Sequence, residues 1–307
     1  DDNFAGSKKR HMDVPIAERR MQIGRVLRAG PQSAPRVARM TISPQKKTSA
    51  QSTTVGRGPG KDRVNLLIDL GNSRLKWAQH APGIWRTEAV LVDAEMLSLL
   101  DRLWRDMVAP QKIVLCSVST PERTHALENW IQARWSIAPR IVRTQTEQLG
   151  VRNRYRQPEQ LGVDRWVALI GARGLTTSAA CVVDCGTAVT VDALSADGEF
   201  LGGAVFPGLR LLRASLVQGT AGITATEGDA SDCLALATTD GVAAGTLFGL
   251  AGAVERLIDE YRRSLGETMR VFLTGGDAPA LAARLRTAHT PVLDLVLKGL
   301  ARIADTL

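Results

Sequence analysis

The sequence predicts an α/β protein built from two duplicated lobes with a cleft between them, and three observations predict it. A short apolar run that ends in an Asp-x-Gly turn and returns as an alternating strand occurs at Val64 to Gln79 and again at Ala180 to Leu194, about 115 residues apart. Helical apolar spacing fills the intervals between strand signals. Repetition of such a unit at domain scale implies two α/β lobes rather than one continuous sheet. The expected bounds are a tail over residues 1–60, a first lobe over 61–175 and a second over 176–307.

The tail is rich in Arg, Ser, Gln, Pro and Gly and includes Lys8-Lys9-Arg10. Such a segment buries too little apolar surface to offset its ordering entropy, so it reads as disordered. It holds 12 Lys and Arg against 4 Asp and Glu, which is the whole formal charge of +8. The remainder carries 27 basic and 27 acidic residues and is neutral.

In the first lobe, Val64 to Leu70 reads as a buried strand, Gly71-Asn72-Ser73 as a tight turn and Leu75 to Gln79 as the returning strand. Ile113 to Val118 and Ile141 to Thr144 are further strand signals. Ala94 to Met107 and Glu122 to Trp135 carry helical spacing, and a helical pattern runs from Pro158 to Ala172. In the second lobe, Ala180 to Gly186, Thr187 to Leu194 and Glu199 to Phe206 read as strand, turn and returning strands. Helices are expected over 208–218 and 239–264, and a strand at Arg270 to Thr274 ends in Gly275-Gly276.

The composition is that of a globular protein, 44% hydrophobic and 23% charged. No apolar run approaches the roughly 20 residues that cross a bilayer, and no signal-peptide core is evident, so the cytoplasm is the expected compartment. Aromatic residues make up 4% of the chain and do not interleave with basic ones, so a nucleic-acid partner is not expected of the body. Cys116, Cys181, Cys185 and Cys233 match neither a zinc site nor a disulfide framework and read as core filler.

The two turns carry the chemistry. Asp69-Leu70-Gly71-Asn72-Ser73 offers a glycine that lets backbone amides approach an anion, and Asn72 and Ser73 as donors to phosphate oxygens. Asp69 has the carboxylate that holds hydrated Mg²⁺ against a nucleotide, and Lys76 reaches the same phosphates from the returning strand. Asp184-Cys185-Gly186-Thr187 repeats the device, with Thr187 as the hydroxyl donor. Each turn alone is ordinary turn chemistry; two of them facing each other can grip one polyphosphate from both sides. Gly202-Gly203-Ala204-Val205-Phe206-Pro207-Gly208 lets a flat base or ribose approach the backbone. Asp164 and Arg165 are adjacent on a helix, point in different directions and so are each free to serve a substrate.

In this order and spacing, these motifs resemble the type III pantothenate kinases, which show Asp-x-Gly-Asn-Thr, Gly-x-Asp-Arg, Asp-x-Gly-Thr-Ala and Gly-Gly-x-Ile-x-Pro-Gly. Residues 62–307 carry all four, with Ser73 in place of Thr and Val205 in place of Ile. The resemblance implies two RNase H-like lobes of the actin-like ATPase type. It implies ATP-dependent phosphorylation of pantothenate, the first step of coenzyme A biosynthesis, with Mg²⁺ and a monovalent cation, K⁺ or ammonium. It further implies Asp164 as general base, Tyr155, Gly162, Val163, Arg165 and Thr238 as substrate contacts, Asp184 as ligand of the monovalent cation and Gly186 and Thr187 as ATP contacts. Family members are homodimers with the substrate pocket at the subunit interface. Two alternatives remain: a superfamily kinase acting on another small acid or sugar, and a regulatory, nucleic-acid-associated factor acting through the tail. A substrate panel separates the first, and deletion of residues 1–60 the second.

Overall fold

The computed structural model describes residues 64–307, so the tail expected over 1–60 lies outside the described residues. The first sheet has five strands: β1 (Asn65–Leu70), β2 (Arg74–Ala81), β3 (Ile84–Leu91), β4 (Ile113–Ser117) and β5 (Arg140–Ile141). Their spatial order is β3-β2-β1-β4-β5, with β1 to β3 antiparallel and β4 and β5 parallel to β1. Helices α1 (Met96–Leu103) and α2 (Pro121–Trp135) connect its strands. The start of α2 is written in the sequence. Thr120 accepts a hydrogen bond from the Arg123 amide, and Pro121 fills the first helical position, where no amide is needed.

The second sheet repeats that order. It contains β8 (Ala180–Cys185), β9 (Ala188–Leu194), β10 (Glu199–Pro207), β11 (Arg270–Thr274) and β12 (Thr290–Pro291), arranged β12-β11-β8-β9-β10. Reading β8 to β12 as a second set of five gives the same permutation as the first sheet, with the same antiparallel and parallel pairings. Two short strands from earlier in the chain, β6 (Glu147–Gln148) and β7 (Val151–Asn153), extend its β10 edge.

Between the sheets lie α3 (Val163–Leu175) and α7 (Leu295–Ala304). One core cluster joins Leu67, Val114 and Cys116 of the first sheet to Val182 and Phe272 of the second through Trp166, Ile170, Leu297 and Leu300. Two glycines set how closely these helices cross. A methyl group at Gly171 would meet the Leu295 carbonyl at 2.5 Å, and one at Gly299 would collide with the Val167 carbonyl. The helical pattern expected from Pro158 resolves into a short 3-10 turn, Pro158–Gln160, and then α3. Leu161 is extended, with ψ of 124°, and Gly162 turns the chain with ψ of 132°, so the helix restarts one residue later.

On the outer face of the second sheet lie α4 (Leu209–Gly219), α5 (Thr238–Leu265) and the single turn α6 (Ala278–Ala282). Among the described residues, α5 alone has the length and apolarity to cross a membrane, but 44% of its apolar window is buried inside the fold. Leu247, Leu250, Val254 and Ile258 of α5 pack on Cys181, Val183 and Val191 of the sheet, which accounts for the apolarity. Cys116, Cys181 and Cys185 are buried free thiols, as core filler requires, whereas Cys233 is exposed in the segment before α5 and so is not part of the core.

Candidate active site

The repeated sheet order places the ends of β1 and β8 opposite each other. Asp69 lies in β1 and faces Lys76 directly across the β1–β2 ladder, so the seven-residue spacing of the motif sets carboxylate and ammonium side by side. Asp184 lies in β8 and faces Thr190 across the β8–β9 ladder in the same way. At the tips of the two turns, Ser73 Oγ and Thr187 Oγ1 share a hydrogen bond of 2.8 Å. Both turns are closed alike: the Gly71 amide donates to the Arg74 carbonyl and the Gly186 amide to the Ala188 carbonyl, each at 3.0 Å. The glycine amides are therefore spent inside their own turns. The side chains of Asn72, Ser73 and Thr187 are left to present donors to a ligand.

Both turns line one cavity of about 270 Å³, to which Asp69, Gly71, Asn72, Ser73, Lys76, Asp164, Asp184, Gly186 and Thr187 contribute. Arg74, Val118, Thr190, Arg210, Gly276 and Asp277 line it as well, and the sequence reading assigned none of these a role. Arg74 follows Ser73 directly, and Gly276-Asp277 extends the glycine pair at the end of β11. Both were visible as neighbours of motifs, but turn chemistry alone gave them no function.

Asp164 sits in the first turn of α3, and its carboxylate accepts from the Arg165 amide at 2.8 Å. Burial raises its proton affinity, against that amide and the charges of Arg165 and Lys76. The Asp69 carboxyl is pushed up to about 7, first by burial, with Lys76 pulling it down and Asp164 and Asp184 pushing it up. Asp184 is pushed up to about 6, again mainly by burial and against Lys76. Three carboxylates, Asp69 buried and Asp164 and Asp184 half-buried, thus share the field of one lysine, which leaves negative charge that a cation would relieve. Among the described residues no three such side chains are close enough to enclose an ion by themselves. That fits an ion held by one or two carboxylates plus ligand oxygens.

Tyr155, Gly162, Val163, Arg165 and Thr238 do not line the cavity. Arg165, expected to be free for a substrate, is engaged by the protein instead. Its Nε donates to both Asp192 oxygens at 3.2 and 3.1 Å, its Nη2 to Asp192 at 2.5 Å and its Nη1 to the Tyr155 hydroxyl at 3.0 Å. Asp192 is 1% exposed. Burial works against the Arg165 cation, but the hydrogen bonds and charge of Asp192 outweigh it and hold the proton more tightly than usual. The adjacency that ruled out an Asp164–Arg165 pair in the sequence gave no sign of this partner, because Asp192 is 27 residues away on β9.

Comparison with known proteins decides the family. A sequence model of the type III pantothenate kinases matches residues 65–260. The chain belongs to the type III pantothenate kinase family. A type III pantothenate kinase from Nitrosococcus oceani is 36% identical over 247 residues, covering 78% of this chain and 93% of the relative. One from Halorhodospira halophila is 40% identical over 246 residues, covering 77% and 96%. Among solved structures, a conserved Baf-family protein from Campylobacter jejuni superposes with a TM-score of 0.50 at 21% identity, over 78% of this chain and 98% of that one. At that identity the likeness concerns the fold alone. The region matched to the family begins at Asn65, within β1, and contains both turns, Asp164 and Arg165.

Proposed function

We propose that this type III pantothenate kinase transfers the γ-phosphoryl group of ATP to the primary hydroxyl of pantothenate in the cavity between the two turns. The observation that carries this reading is the convergence of Asp69, Lys76, Asp164, Asp184, Ser73 and Thr187 on one cavity from two lobes. Phosphoryl transfer depends mainly on alignment and on neutralising the phosphate oxygens, and the site has hydroxyls, an amide side chain and a lysine for both.

In this reading Asn72, Ser73 and Thr187 bind phosphate oxygens, with Gly71 and Gly186 shaping the turns and Lys76 balancing charge. The pantothenate oxygen attacks the γ-phosphorus, the bond to the ADP oxygen breaks, and the hydroxyl proton passes to Asp164. An aspartate is too weak a base to ionise an alcohol beforehand, so Asp164 orients the hydroxyl and takes its proton late. Burial raises the proton affinity of Asp164 and thereby favours that transfer. Asp69 would hold Mg²⁺ and Asp184 a monovalent cation, K⁺ or ammonium. Their excess negative charge supports both assignments, and the ions would supply charge neutralisation. Tyr155, Gly162, Val163, Arg165 and Thr238 are carried over as pantothenate contacts from the family motif.

A homodimer in the cytoplasm belongs to the same reading. The family resemblance supports it, with the five contacts in a pocket that a second copy would complete. A groove of about 360 Å³ between α4 and α5 supports it too, since Phe206, Leu212 and Leu216 line it beside Gly245 and Gly249. ADP release on adding pantothenate to protein, ATP and Mg²⁺, with and without K⁺, tests the reading. Release that depends on pantothenate is expected; release with another hydroxy acid or sugar but not pantothenate would replace the substrate.

A further inference from the structure

The cavity is lined by three cations, Arg74, Lys76 and Arg210, and by four carboxylates, Asp69, Asp164, Asp184 and Asp277. Lys76 is the cation that acts on Asp69, Asp164 and Asp184 together, so its charge is already shared among three carboxylates. A polyphosphate entering such a cavity meets an excess of negative charge unless other cations face it. Arg74 and Arg210 are the two available. Neither makes a salt bridge among the described residues, whereas Arg165 is paired with Asp192 and does not line the cavity.

Their placement is reciprocal. Arg74 is the first residue of β2, in the first lobe, and its guanidinium lies against Gly276 of the second, where an added methyl group would collide with it. Arg210 is in the first turn of α4, in the second lobe, and its Nη2 donates to Ser73 Oγ of the first at 3.4 Å. Each arginine therefore crosses the cleft in the direction opposite to the other, and Arg210 ends on the hydroxyl that joins Thr187. A guanidinium is planar, permanently charged and suited to two phosphate oxygens at once.

We propose that Arg74 and Arg210 form a two-sided clamp on the nucleotide's polyphosphate chain, binding it across the cleft from opposite lobes. The proposal rests on the reading of the cavity as a nucleotide site and adds two residues to it. The clamp acts on phosphates and not on the phosphoryl acceptor, so it governs ATP affinity and leaves pantothenate affinity alone.

The test measures KM for ATP and for pantothenate in Arg74→Gln, Arg210→Gln and Arg210→Lys. Inorganic tripolyphosphate binding to each full-length variant is followed separately by thermal shift. Both Gln variants should raise KM for ATP about tenfold, as expected for loss of a charge-assisted hydrogen bond. They should weaken tripolyphosphate similarly, while KM for pantothenate stays within about twofold. Arg210→Lys should recover part of the loss, and the effect should shrink at high ionic strength. The arginines are exposed, so melting without ligand should not change. Wild-type-like ATP and tripolyphosphate binding in both Gln variants, in a protein that does phosphorylate pantothenate, would overturn the clamp and leave the functional reading intact. Arginine-dependent tripolyphosphate binding in a protein inactive on pantothenate would sink that reading and uphold the clamp.

Discussion

Ser73 Oγ at the tip of the first turn and Thr187 Oγ1 at the tip of the second lie 2.8 Å apart, so the turns that end β1 and β8 are joined by their own hydroxyls. At that separation each hydroxyl serves as the other's partner. The bond is partly buried and neutral, so Ser73→Ala and Thr187→Ala should each lower stability by about 1 kcal/mol. Urea unfolding of both single variants and the double variant tests this, and the double should cost less than the sum. Strict additivity would show that the two turns are not coupled.

The Asp69 carboxyl titrates near 7 in the folded protein against an ordinary value of 3.8. The folded state therefore keeps a proton that the unfolded chain has lost between those values, so the contribution of this group to stability is full below about pH 4 and is lost as pH rises through 7. Asp69→Asn removes the buried charge. At pH 8 and low divalent cation, it should be more stable than the wild type by on the order of 2–4 kcal/mol, with the difference shrinking as pH falls and gone below about pH 4. Thermal unfolding across that range decides it; a variant less stable than the wild type at pH 8 would mean the charge is compensated in the protein.

Asp192 holds Arg165 through Nε and Nη2 and is nearly inaccessible to solvent. Removing one member of a buried pair strands the other, so Asp192→Ala should cost about 3–5 kcal/mol. The double variant Asp192→Leu with Arg165→Met should cost less than that, because no charge is left buried. Denaturant unfolding of both variants gives the comparison, and a double variant worse than the single would count against stranding as the cause.

The crossing of α3 and α7 at Gly171 and Gly299 fixes the helix that carries Asp164. Gly299→Ala places a methyl group on the Val167 carbonyl and should cost about 1–3 kcal/mol while lowering turnover, since α3 must shift. A melting temperature and turnover both equal to the wild type's would show that the helices separate without moving the site.

The sequence was most legible where function and local geometry coincide. The strand at Arg270 to Thr274 and the two Asp-x-Gly turns are found where the spacing put them. Each is a short apolar run stopped by glycine. The strand β3 is mostly solvent-facing, so it lacks the alternation that marked its neighbours. Helix α7 is buried on most sides between the sheets with Lys298 and Arg302 on its one polar side, and its ten residues give too few turns for that period to stand out in the sequence. The two Asp-x-Gly turns and Asp164 line the cavity and were readable as motifs, whereas Arg165 bonded to Asp192 and Arg74 set against Gly276 are contacts across long chain separations. No local pattern encodes them.

The central claim is that Asp164 lies where a phosphoryl acceptor's hydroxyl must lose its proton, beside a phosphate site formed by other residues. Turnover and ATP affinity measured together on Asp164→Asn test it most directly. The side chain keeps its shape and loses its basicity, so pantothenate-dependent turnover should fall by about 100-fold or more while ATP binding stays within about threefold of the wild type. Near-normal turnover in that variant would remove Asp164 from the reaction and with it the proposed use of the cavity.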